Sequence, residues 1–232
     1  FSKSGVQKEF KIMFNGKMKA VTFSYDDAPF QDRRLVEIFN KYGLKCTFNV
    51  NSGLFGQGHR TIMPEEMPSL YKGHEVAVHT LTHPHLENMT DDVEIVKQVE
   101  DDRKYLSEIM GYNVVGMAYP FGTYNDNVVK LIDEQTGVLY SRTVRATCNF
   151  DVQTDLLRFH PTCHHKHPDV FEMAKKFIEM KPDTPQVLYI WGHSYEFDRE
   201  DGEWERMEEL CKLLSGHDDI FYGTNAEVLL AK

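Results

Sequence analysis

Two pairs of side chains in this chain have the types and spacing for metal-assisted hydrolysis. His79 and His83 follow the apolar segment Glu75-Val76-Ala77-Val78, and the adjacent aspartates Asp26 and Asp27 follow Ala20-Val21-Thr22-Phe23. Imidazoles four residues apart lie on one face of a helical turn, a spacing at which two nitrogens can share a divalent ion. Pro84 steers His83 out of the α region, so the sequence predicts a short turn at a strand end. A carboxylate with two imidazoles is a catalytic ligand set that leaves a position open for water, and the second aspartate is then free to act as a base. Taken singly, each feature has a plainer reading. Asp-Asp-Ala-Pro can be a solvated turn, and His193 can be a satisfied core histidine.

What favours the chemical reading is the set of elements that must position these residues. Apolar runs alternate with amphipathic stretches. The pattern predicts strands at Ala20–Phe23, Cys46–Val50, Glu75–Val78, Val114–Tyr119, Val138–Arg142, Leu156–His160, Val187–Trp191 and Ile220–Tyr222. It predicts helices at Gln31–Tyr42, Pro64–Tyr71, Asp91–Met110, Asn125–Glu134, Pro168–Met180 and Glu203–Leu214. Thr90 is the expected cap of the third, with Val93, Val96, Val99 and Leu106 at helical spacing. Repeated β–α alternation means an α/β fold with a mainly parallel sheet, closed or nearly closed into a barrel, in a single domain over residues 1–232. In parallel sheets the C-terminal strand ends converge on one face. That face then collects Asp26, Asp27, Asn49, Asn51, His79, His83, Tyr119, Phe121, His164, His165, His193 and Glu196.

The same residues carry a family resemblance. Ser24-Tyr25-Asp26-Asp27-Ala28-Pro29 resembles the T-F-D-D-G-P motif of the NodB-homology polysaccharide deacetylases, carbohydrate esterase family 4, and His79–Leu86 (HTLTHPHL) resembles their H-[ST]-x-x-H-P-x-L motif. Tyr119-Pro120-Phe121-Gly122, Val187–His193 and Tyr222–Val228 are similar to later motifs, in the expected order. The resemblance implies a distorted (β/α) barrel of about seven units. It also implies one divalent ion, zinc by preference, on Asp27, His79 and His83. Asp26 would be the general base, His193 the general acid and the Phe121 N–H the oxyanion partner. Tyr119 is expected to meet the substrate, as are His164, His165 and Glu196, which stand outside the family's general pattern. The implied reaction is removal of an acetyl group, most often from N-acetylglucosamine units of a glycan.

Two departures stand out. Ala118 occupies the place of the family's arginine that pairs with the base, and Arg142, Arg145 and Arg158 are the candidates to replace it. No Asp-x-x-Asp-Trp motif is present, since Asp151 and Asp155 are one residue too far apart. The cluster His160, His164, His165 and His167 reads either as a solvated loop or, through His164 or His165, as part of the cleft.

Composition bounds the partners. The 232 residues are 41% hydrophobic and 12% aromatic, ordinary for a globular protein with a full core. A formal charge of −10 argues against nucleic acid and anionic membrane and suits a neutral or cationic ligand such as a carbohydrate. No run approaches the roughly 20 apolar residues of a membrane span. Four dispersed cysteines predict reduced thiols and favour a cytoplasmic setting, with export open because the chain starts at Phe1 rather than Met. Three alternatives remain. One is ester or small-amide hydrolysis on the same residues, and another is a non-catalytic glycan binder, favoured by Ala118. The third, a glycosidase, needs its two carboxylates roughly 5–9 Å apart, which adjacent aspartates poorly provide.

Overall fold

A computed structural model describes residues 13–57 and 61–231. Its core is a curled, distorted (β/α) barrel. The strands are β1 (Lys19–Asp26), β2 (Cys46–Val50), β3 (Glu75–Val78), β4 (Gly116–Ala118), β5 (Tyr140–Arg142), β6 (Cys163–His164), β7 (Gln186–Gly192) and β8 (Ile220–Tyr222). They are paired in the order β5-β4-β3-β2-β1-β7-β6, all parallel. β8 pairs with the first half of β1, on residues Lys19–Val21, and β2 takes over from Phe23 to Asp26. The segment from Phe159 to His164 spans the remaining gap. Phe159 bridges to Arg142 on β5, while Cys163 and His164 pair with β7.

Strand parity decides which side chains enter the barrel. On β1, Val21, Phe23 and Tyr25 face the helices and join the larger core, so Ala20, Thr22, Ser24 and Asp26 face inward. Phe48 and Val50 on β2, Val76 and Val78 on β3, and Leu188 and Ile190 on β7 likewise pack outward. The same alternation turns Asn49, Arg142, His79 and His193 to the interior at the C-terminal rim.

Helices α1 (Asp32–Lys41), α2 (Met67–Leu70), α3 (Asp92–Met110), α4 (Asp126–Gln135), α5 (Val170–Glu179), α6 (Glu203–Leu214) and α7 (Asn225–Leu229) complete the described fold. Three expectations need correction. Asp91, not Thr90, caps α3: its carboxylate accepts from the N–H groups of Val93 and Glu94. The buried stripe of α3 is Ile95, Val99, Asp102 and Leu106, whereas Val93 is exposed. Leu156–Arg158 is a 3₁₀ turn, and the sixth strand lies later, at Cys163–His164. No described helix is long and apolar enough to cross a membrane.

Candidate active site

Asp26 ends β1 and is 2% exposed. The Arg142 Nη2 donates to both of its oxygens, at 2.7 and 2.5 Å, and the Asn49 Nδ2 donates to Oδ1 at 2.8 Å. Burial alone would raise the Asp26 pKa, but the Arg142 charge, the His193 charge and the Arg142 hydrogen bonds outweigh it and leave the carboxyl below its ordinary value. Of the three candidate arginines, Arg142 is the one on Asp26. It sits directly across the β4–β5 ladder from Ala118, so the cation comes from one strand further along the sheet.

Asp27 leaves the strand at φ 75°, its N–H donating to the Asn49 carbonyl at 3.0 Å. Its Oδ1 lies 3.6 Å from His79 Nε2 and 3.7 Å from His83 Nε2, so the three side chains form a compact donor group. The tautomer of His79 is set by its neighbour. A carbonyl can only accept, so Nδ1–H donates to the Ala118 oxygen at 2.8 Å and the Nε2 lone pair faces Asp27. The His79 backbone is held as well, its N–H between the Val50 carbonyl and Asp102 and its carbonyl by Asn51.

The histidine pair does not lie on a helical turn as its spacing predicted. Thr80 and His83 have φ of 68° and 56°, and the segment is an irregular loop. Of eight described non-glycine residues with positive φ, five are Asp27, Ala28, Thr80, His83 and Phe121, all in these rim loops. Such conformations cost on the order of 1–3 kcal/mol each and persist where surrounding contacts impose them.

His193 follows β7 and points Nε2 at Asp26 Oδ2 (3.9 Å) and Asp27 Oδ2 (3.8 Å). Burial works against its protonation, but Glu196, Asp26 and Asp27 prevail and the pKa is raised. These groups line a cavity of about 390 Å³, completed by Tyr119, Phe121, Gly122, Val144, Trp191 and Tyr195. Phe121 is half exposed, edge-on to His83 and stacked on His85. A second cavity of about 390 Å³ shares Asp27 and His83 and continues toward Leu54, Phe55 and Gln57.

His164, His165 and Glu196 lie behind His193 and do not line the cavity. His165 is 1% exposed and stacks on Tyr25. The other members of the histidine cluster are elsewhere, His160 on Thr143 and His167 beside Cys148. Trp191 contributes to the cavity wall and stacks on Arg142; Trp204 packs against Phe197 and Arg34.

Sequence reasoning did not single out Asp102, whose carboxylate accepts from the Ser52 N–H, the Ser52 hydroxyl and the His79 N–H. Burial pushes it up to about 7 against the effect of these donors. The signal was a charged residue on the apolar stripe of α3. Asn49 was visible on the rim, but its double hold on the aspartates was not.

The polysaccharide deacetylase family profile matches residues 15–140. Among solved structures, the fold is similar to the Streptococcus pyogenes deacetylase PplD in complex with acetate (24% identity, TM-score 0.57, 69% of this chain and 71% of that one). It is similar to a family 4 acetyl xylan esterase from Clostridium thermocellum with a cobalt ion (16%, TM-score 0.61, 91% and 90%). A third likeness is to the peptidoglycan deacetylase PdaC from Bacillus subtilis (18%, TM-score 0.55, 92% and 91%). At these identities the likenesses speak for the fold. No curated protein matches the chain.

Proposed function

The chain belongs to the polysaccharide deacetylase family, and from that premise we propose that it is a metal-dependent hydrolase removing acetyl groups from N-acetylglucosamine-type units of a glycan. One observation carries this reading. A three-donor group, Asp27, His79 and His83, shares a cavity with a buried carboxylate held by an arginine and an imidazole facing both aspartates.

The donor chemistry fits a divalent ion such as zinc. His79 offers an unprotonated Nε2 because its other nitrogen is committed to Ala118, and Asp27 presents one oxygen to both imidazoles. Bound there, the ion supplies Lewis acidity to the attacking water and to the acetyl carbonyl. Asp26 accepts the water proton, and Arg142 favours the ionised form that this requires. His193 delivers a proton from Nε2 to the departing amine, which leaves poorly without one. The Phe121 N–H, in a turn with φ of 58°, is assigned to the developing oxyanion. Tyr119, Phe121, Trp191 and Tyr195 offer apolar faces to the acetyl group and the sugar. Ala118 is no argument for a non-catalytic member, since Arg142 occupies the position beside the base.

The test is acetate release from an N-acetylated chitooligosaccharide and from acetylated xylan, with metal content measured on the same preparation. Release from the chitooligosaccharide is expected. Release from xylan alone would replace this reading with O-acetyl ester hydrolysis, which the likeness to the acetyl xylan esterase favours. Release from neither would refute both.

A further inference from the structure

A single oxygen, Glu196 Oε2, collects nitrogen atoms from three histidines. His164 Nε2 lies 3.0 Å away, His165 Nε2 3.4 Å, His193 Nδ1 3.5 Å, and the His193 backbone N–H donates at 3.2 Å. His165 Nε2 and His193 Nδ1 are buried and make no standard hydrogen bond. Glu196 Oε2 is the carboxylate oxygen within reach of both.

Two chemistries could explain such a group, and the tautomers separate them. His164, His193 and Glu196 are close enough to hold a second metal. Yet His164 Nδ1 accepts the Lys166 backbone N–H at 3.1 Å, which places the ring proton on Nε2. That nitrogen faces Glu196 as a donor and has no lone pair to give a metal. At His165, the Tyr25 hydroxyl lies 3.2 Å from Nδ1 and 3.6 Å from Met207 Sδ, and Nε2 faces the same carboxylate. The His164 arrangement is the reverse of His79, whose Nε2 is the bare nitrogen.

We propose that Glu196 is a positioning residue for His193. Its carboxylate holds the imidazole in the Nδ1–H tautomer with Nε2 turned toward Asp26 and Asp27, and His164 and His165 fix that carboxylate in place. The inference rests on the deacetylase reading for its kinetic consequence but not for the tautomer. The partner of His193 thus comes from the turn that directly follows it, Ser194–Asp198. Gly192 belongs to the same device: a Cβ there would overlap the His165 ring. Hydrogen bonds of this kind are often long before substrate binds and tighten afterwards.

Nitrogen-15 NMR of the histidine rings in the purified protein, with His193 assigned by substitution, reads the tautomer without reference to activity. The proton is expected on Nδ1 of His193 in the wild type, and Glu196→Gln should shift the ring toward the Nε2–H form. Glu196→Gln should also lower kcat on the chitooligosaccharide about 10–100-fold, with KM and metal content little changed and a smaller loss on an aryl acetate. Zinc titration should show one tight equivalent in wild type and in His164→Phe. A wild-type His193 carrying its neutral-form proton on Nε2, an unchanged kcat in Glu196→Gln, or a second zinc equivalent lost in His164→Phe would each overturn the proposal. Should the wild type release no acetate from any substrate, the deacetylase reading fails while the NMR result still decides the role of Glu196.

Discussion

The Arg142 guanidinium, at the end of β5, donates to both carboxylate oxygens of Asp26, at the end of β1, and neither side chain is more than 3% exposed. The pair joins the two strands through the interior of the barrel and sets the charge of the proposed base. Arg142→Met should therefore raise the Asp26 pKa, since burial then acts with less opposition. The acidic limb of the kcat/KM profile should move up by about 1–3 pH units. A limb left in place would show that Arg142 does not tune the base. Ala118→Arg offers no route to restoring it, because Ala118 is fully buried and its carbonyl is the partner of His79.

The neighbouring aspartates should fail in different ways. Asp27→Asn, His79→Ala and His83→Ala should reduce divalent metal content from about one ion per chain. Asp26→Asn should keep the metal and abolish acetate release. Metal analysis and acetate assay on the four variants side by side decide the assignment, and an active Asp26→Asn would end it.

For His193→Ala, turnover on an amide is expected to fall by about two to four orders of magnitude, with metal retained. An aryl acetate, whose leaving group hardly needs a proton, should lose less. Equal losses on the two substrates would make His193 a structural residue.

Gly192→Ala tests the packing behind the site. The added methyl meets the buried His165 ring on one side of β7, and overpacking of this kind costs about 1–3 kcal/mol. Urea unfolding measures it, and an unchanged midpoint would mean that the ring has room to yield.

Asp32 gives the stability a pH dependence. It is buried and accepts from the Tyr71 and Ser194 hydroxyls, and burial raises it from 3.8 to about 7. A carboxyl whose folded pKa is raised contributes stability below its unfolded pKa, and that contribution is lost as pH climbs toward the folded value. Three pKa units bound the effect at about 4 kcal/mol. Relative to Asp32→Asn, the wild type should lose stability between about pH 4 and 7 and level off above. A constant difference across that range would show that Asp32 does not titrate there.

The sequence by itself determined the order of the elements, the parallel barrel and the residues at its C-terminal rim. These follow from local information: period-2 and period-3.6 burial, and polar residues that end apolar strands. It also named Asp26, Asp27, His79, His83 and His193, because their motifs are contiguous. Only the tertiary structure chose Arg142 over Arg145 and Arg158, because the choice depends on register across the β4–β5 ladder, and no local pattern encodes register between strands. The same holds for Glu196, which reads as a cleft residue from its place after β7. Its role emerges only when the segment from Phe159 to His165 folds back and brings two more imidazoles to the same oxygen. The loop conformations were likewise out of reach. The spacing of His79 and His83 suggested a helical turn, but contacts from Asn51, Gln98 and Asp102 hold a backbone that local propensity disfavours.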